Sequence, residues 1–152
     1  MKIGLISDTH GLLRPEALAA LRGCAHIVHA GDIGKPEILD ALRELAPLTV
    51  VRGNNDESLD WATELPQQAT LQLGGVGLFV VHEAADVPAQ LPENVSVVIT
   101  GHSHKPLIEE RAGRLWINPG SAGPRRFRLP IAIALLHIDN GEPRAELIEL
   151  QP

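Results

Sequence analysis

The sequence predicts an α/β fold: a four-layer α-β-β-α sandwich, two mixed β-sheets flanked by helices. Three observations predict it. The first third of the 152-residue chain alternates short apolar runs with helical stripes, the pattern of parallel strands joined by crossover helices. The remainder is a series of strand-like runs separated by turn pairs. Several runs are apolar on both faces, as strands covered on both sides must be.

Taken in order, Ile3 to Ser7 reads as a buried parallel strand. Pro15 to Leu21 reads as a short helix, with Pro at its start and Gly23 closing it. His26 to Ala30 is the next strand. Pro36 to Leu45 is a longer helix, with Ile38, Leu42 and Leu45 on one stripe. Leu48 to Arg52 is a third strand. Ala69 to Leu73 and Val76 to Val81 flank Gly74-Gly75, a hairpin signal. Val95 to Thr100 is a fully apolar strand. Leu107 to Arg111 and Leu115 to Asn118 flank Ala112-Gly113. Ile131 to Asp139 and Arg144 to Leu150 flank Asn140-Gly141. No repeat, low-complexity tract or linker interrupts residues 1–152, so one domain is expected.

Composition narrows the function classes. The chain is 44% hydrophobic and 21% charged, ordinary for a packed soluble protein. Its 13 basic and 19 acidic residues give a net charge of −6, which argues against stable nucleic-acid binding through a broad basic surface. Aromatics are 3%, with no Tyr, so extended base-stacking platforms are not expected either. The single cysteine, Cys24, forms no intrachain disulfide and reads as a small buried hydrophobe. No run suits a membrane span or a signal-peptide core, and a cytoplasmic address follows as the expectation.

The informative feature is where polar residues fall. Strand-like runs end at Asp8-Thr9-His10, Gly31-Asp32, Gly53-Asn54-Asn55-Asp56, His82 and Gly101-His102-Ser103-His104. The carboxyl ends of parallel strands face one crevice. Five segments therefore deliver Asp8, His10, Asp32, Asn54, His82, His102 and His104 to one rim. Hard carboxylate oxygen, imidazole nitrogen and an amide oxygen together suit manganese first, with Fe, Zn, Ni or Co as alternatives. Seven donors are too many for one ion with an open position and suit two divalent ions sharing a carboxylate. Asp32, preceded by a glycine on an early and central strand, is the expected bridge. Two divalent ions set against Asp8, Asp32 and a bridging hydroxide leave a net charge of about +1. Such a hole attracts an anionic ester, and a metal pair acidifies a bridging water for in-line attack.

In this order, these motifs resemble the calcineurin-like metallophosphoesterase superfamily from Asp8 to Ser121. The short length and Asn118-Pro119-Gly120-Ser121 resemble its small single-domain phosphodiesterase branch. The resemblance implies that Asp8, His10, Asp32 and His104 hold one metal and that Asp32, Asn54, His82 and His102 hold the other. It implies a metal-bridging hydroxide as nucleophile on a small-molecule phosphate ester, with Asp32, Asn54 and His102 as the ligands nearest the chemistry. Two positions depart from the pattern. Asn55 stands where many members carry a proton-donating His, and Glu83-Ala84 stands where the branch often shows Gly-His. A phosphomonoesterase with the same centre, or a non-catalytic metal-binding scaffold of the same fold, is the alternative.

Other polar residues have plainer readings. Asp56 reads as a supporting or turn carboxylate rather than a ligand. His26, His29 and His137 read as structural. Asn55 reads as a substrate contact. Arg125 and Arg126, in a glycine- and proline-bearing loop after Ser121, are solvated charge or contacts for a substrate phosphate. A homo-oligomer is left open.

Overall fold

A computed structural model describes residues 1–152. Its strands are β1 (Lys2–Ile6), β2 (His26–His29), β3 (Leu48–Val50), β4 (Gln68–Leu73), β5 (Val76–Val81), β6 (Val95–Ile99), β7 (Leu107–Arg111), β8 (Arg114–Asn118), β9 (Ala132–Asp139) and β10 (Glu142–Glu149). The α-helices are α1 (Pro15–Leu21) and α2 (Pro36–Leu45). Every element expected from the sequence is present, with ends displaced by a residue or two. Both helices begin at a proline, whose missing N–H is no loss in a first turn.

The strands form two five-stranded sheets, ordered β10-β9-β1-β2-β3 and β4-β5-β6-β8-β7. Both are mixed. β1 pairs parallel with β2 and antiparallel with β9. In the second sheet β5, β6 and β8 run parallel, with β4 and β7 antiparallel at the edges. The centre of the first sheet is β1. β2 lies one place out, which corrects the expectation that Asp32 follows a central strand.

The sheets pack face to face through Leu5, Val28 and Leu136 from one and Leu78, Val97 and Ile117 from the other. The outer face of the first sheet is covered by α1 and α2 through Leu21, Leu39 and Leu42. β9 lies in both cores, sending Ile133 to the helix side and Ala134 and Leu136 between the sheets. That explains its apolar run. The outer face of the second sheet carries no α-helix. A segment with one 3-10 turn, Ala84–Asp86, lies there, and Val87 and Leu91 pack on Phe79, Val81 and Val98. Proline at 88 and 92 keeps this stretch from becoming a helix and makes the fourth layer thin. The hairpin turns are tight, with positive φ at Gly74-Gly75, Ala112-Gly113 and Asn140-Gly141.

Candidate metal centre

β1, β2 and β3, and β5 and β6 of the other sheet, all end at the same rim. Asp8, His10, Asp32, His102 and His104 have φ of 56°, 45°, 57°, 70° and 64°. None is Gly or Asn, so each pays a steric cost that the surrounding packing must hold in place. The left-handed turns stop the strands abruptly and swing the side chains inward. Two glycines make room. A Cβ on Gly31, whose φ is 105°, would sit 2.7 Å from His82 Nδ1, and a Cβ on Gly53 would collide with Asp32 Oδ1.

The side chains gather into two adjoining groups. Asp8, His10 and His104 form one, and Asp32, His82 and His102 the other. Within each, the donor atoms lie within 4.8 Å of one another. Asp8 Oδ1 is 3.6 Å from His10 Nε2 and 3.4 Å from His104 Nε2. Asp32 Oδ2 is 3.2 Å from His82 Nε2 in its own group and 3.7 Å from His10 Nε2 in the other. Asn54 joins the second group through its Oδ1, 3.2 Å from His102 Nδ1.

The donor set fits divalent cations. Asp8 Oδ1 and His82 Nε2 are buried and have no hydrogen-bond partner, although both face the cluster. His82 donates its Nδ1–H to the carbonyl of Ala30 at 2.7 Å, which leaves the Nε2 lone pair free to bind a metal. Asp8 Oδ2 is already occupied by the Ser7 hydroxyl at 2.7 Å and the His102 N–H at 3.0 Å, so only Oδ1 is open.

Residues behind the donors fix them. Asp56 is fully buried, and its carboxylate accepts N–H groups of Ile33 at 3.0 Å, Gly34 at 3.3 Å and Gly53 at 2.9 Å. It staples the loop carrying Asp32 to the loop carrying Asn54, as its supporting reading requires. His29 accepts the Gly31 N–H at Nδ1, which leaves its Nε2–H to donate to Thr9 Oγ1; Thr9 in turn donates to Ile33 O. Asn118 donates to Gly101 O at 2.9 Å and bonds Ser103 Oγ, bracing the His102–His104 loop. Ser121 donates to Asp8 O at 3.0 Å. Ser7, Asn118 and Ser121 have no role in the sequence reading beyond the motif. The Asn118–Ser121 stretch was the available signal, because polar residues at an apolar strand's end need partners.

The electrostatics follow from packing carboxylates against imidazoles. Burial alone would raise the Asp8 carboxyl, but His10, His104, His82 and Ser7 outweigh it and hold Asp8 well below the usual carboxylate range. Burial also raises Asp32, yet His82 and the Asn55 N–H pull it down overall. Burial disfavours a charged His82, but Asp32 and Asp8 push it up to about 9. His10 is raised, chiefly by Asp8. His29 goes the other way: burial lowers it to about 4 and keeps it neutral. The cluster therefore attracts positive charge, and metal binding there must displace protons.

The remaining expected residues lie around this core. Asn55 directs its backbone N–H to Asp32 Oδ1 at 2.9 Å and its amide to Oδ2 at 3.3 Å, so it buttresses the carboxylate. Glu83 approaches His102 Nδ1 at 3.7 Å. Arg125 is exposed and bonds Leu129 O within its own loop. Arg126 is also exposed, and its charge opposes protonation of His10. His26 bonds Thr49 and His137 bonds Glu146, both outside the cluster. Cys24 is buried in the helix-side core.

Residues 1–141 match the model of the calcineurin-like phosphoesterase superfamily domain. The chain belongs to that superfamily. A probable metallophosphoesterase of Methanothermobacter thermautotrophicus is 33% identical to this chain, over 97% of it and 92% of the relative. Among solved structures, a novel archaeal phosphodiesterase superposes with a TM-score of 0.74 at 23% identity, covering 97% of this chain and all of that one, 100%. Vps29 of Chaetomium thermophilum superposes with a TM-score of 0.77 at 18% identity, covering 100% and 98%. At these identities the two structures show a shared fold. No helix of the chain is long and apolar enough to cross a membrane.

Proposed function

We propose that this phosphoesterase hydrolyses phosphodiesters at a pair of divalent ions. Asp8, His10, Asp32 and His104 would hold one ion. Asp32, Asn54, His82 and His102 would hold the other, and manganese would suit the mixed oxygen and nitrogen set. The observation that carries the reading is the position of Asp32 Oδ2, 3.2 Å from His82 and 3.7 Å from His10, between the two groups. When bound, such a pair supplies Lewis acidity toward the phosphoryl oxygens and an activated water.

The chain's own residues set the rest. Asn55 holds both oxygens of Asp32 and supplies no acidic proton, so the leaving group must depart without a side-chain acid at that position. A cationic centre attracts an anionic phosphate ester, and we read that ester as a diester. The archaeal phosphodiesterase of the same fold supports the same choice. The buried Cys24 and the acidic surface suit a reducing cytoplasm.

The test compares bis-p-nitrophenyl phosphate with p-nitrophenyl phosphate on protein loaded with manganese. Faster turnover of the diester is expected. Preference for the monoester would replace the diester reading. Turnover of neither, with metal bound, would favour a scaffold role such as the shared Vps29 fold allows.

A further inference from the structure

The loop between Ser121 and Ile131 projects beside the metal centre like a finger with a fastened base. A bridge pairs Ser121 with Ile131. Ser121 is tied to the backbone of Asp8, and Arg14 donates to Gly123 O at 3.3 Å. The finger closes on itself through Leu129 N–H to Arg126 O at 3.1 Å. At its tip is Phe127, 88% exposed, with φ 54°. The chain has only two Phe and two Trp. Phe79 is buried, and Trp61 and Trp116 are partly covered by the cores.

Two unfavourable features thus coincide at one residue: an apolar ring in water and a left-handed backbone that a bulky side chain rarely adopts. Nothing inside the chain offsets either. Arg125, Arg126 and Arg128 flank Phe127 in sequence, and Arg128 and Lys105, the residue after His104, line the same open cavity as Phe127. This cationic segment, on a chain of net charge −6, is anchored at its base to the backbone of Asp8.

Resting on the phosphodiesterase reading above, we propose that this finger is a specificity arm for phosphodiesters carrying an aromatic group, Phe127 stacking on that ring while the guanidinium groups face the phosphate. One exposed ring suits one base, since each base offers a π-face for stacking. It does not suit a stable interface between two copies, which needs roughly 1,000 Å² or more. An anionic membrane would be repelled by the rest of the acidic surface.

The experiment uses manganese-loaded protein and three diesters with the same p-nitrophenolate leaving group, whose retained groups are thymidine, phenyl and ethyl. The thymidine ester is expected to exceed the ethyl ester in kcat/KM by about tenfold, the contribution of one stacked base. F127A should bring that ratio near one, F127W should keep it, and F127L should not. A phenyl ester that tracks the thymidine ester assigns any aromatic ring; one that tracks the ethyl ester assigns a nucleobase, and either supports the proposal. A ratio unchanged in F127A overturns it, and does so in favour of a docking surface if the same variant alters sedimentation or binding to phosphatidylserine vesicles. If no ester turns over, the phosphodiesterase reading fails separately. Binding of thymidine 5′-monophosphate to wild type and F127A then decides: about tenfold weaker binding in the variant supports the arm, and equal binding overturns it.

Discussion

Asp56 Oδ1 accepts the backbone N–H of Ile33 at 3.0 Å, with the Asp56 side chain wholly buried. Together with its bonds to Gly34 and Gly53, this contact joins the loop that aims Asp32 to the loop that aims Asn54. Asp56→Asn replaces one acceptor oxygen with a donor facing N–H groups. It should destabilise the protein by about 2–4 kcal/mol, because charge-assisted bonds are lost and buried donors are left unsatisfied. It should also weaken metal binding on the order of 10- to 100-fold, as loss of supporting partners does. Urea denaturation and metal titration check the two effects. A variant as stable and as tightly metallated as wild type would refute the stapling role.

Asp32 and Asn54 should respond differently to mutation. Asp32 Oδ2 faces both groups, whereas Asn54 reaches only His102. Asp32→Asn should lower kcat/KM on the order of 10³-fold or more, and Asn54→Ala about 10-fold, since the first disturbs both ions and the second only one. Equal and mild losses in two well-folded variants would show that Asp32 is not shared.

Removing metal should expose the pH dependence of the cluster. His82 is raised to about 9 against an ordinary value of 6.5, so its stabilising charge is fully present below 6.5 and lost as pH rises through about 9. His29 is lowered to about 4, so stability falls as pH drops from 6.5 toward 4, where the unfolded chain takes up a proton and the folded chain does not. Asp8, held below the carboxylate range, adds a further loss only below its ordinary value of 3.8, outside this limb. Chelator-treated protein should therefore lose roughly 3 kcal/mol on each side of neutrality. His29→Gln should flatten the acid limb while leaving the alkaline one. Denaturant midpoints measured from pH 4 to 10 would show this; a flat profile in the chelated wild type would contradict it.

Much of this architecture was legible because strand ends are abrupt in the sequence. Apolar runs stop at Asp8, Asp32, His82 and Gly101, and parallel pairing carries those ends to one rim. The turns were legible too, since Gly74-Gly75 and Asn140-Gly141 state their geometry in their composition. The left-handed backbone of Asp8, His10, Asp32, His102 and His104 was not, because Asp and His tolerate it better than most residues but do not specify it, and long-range packing must impose it. The place of β2 one strand from the centre depends on β9 returning beside β1, a pairing far apart in sequence. The supports from Ser7, Asn118 and Ser121 are single hydroxyl and amide contacts without periodicity. Phe127 was hidden by composition: a low aromatic content speaks against a stacking platform but not against one exposed ring.

The pairing of ions across Asp32 is tested most directly by anomalous diffraction from crystals grown with manganese. Two peaks roughly 3.5–4 Å apart, one beside Asp8 and His104 and one beside His82 and His102, are expected, with Asp32 between them. A single peak, or two peaks with Asp32 bound to only one, would contradict the shared centre.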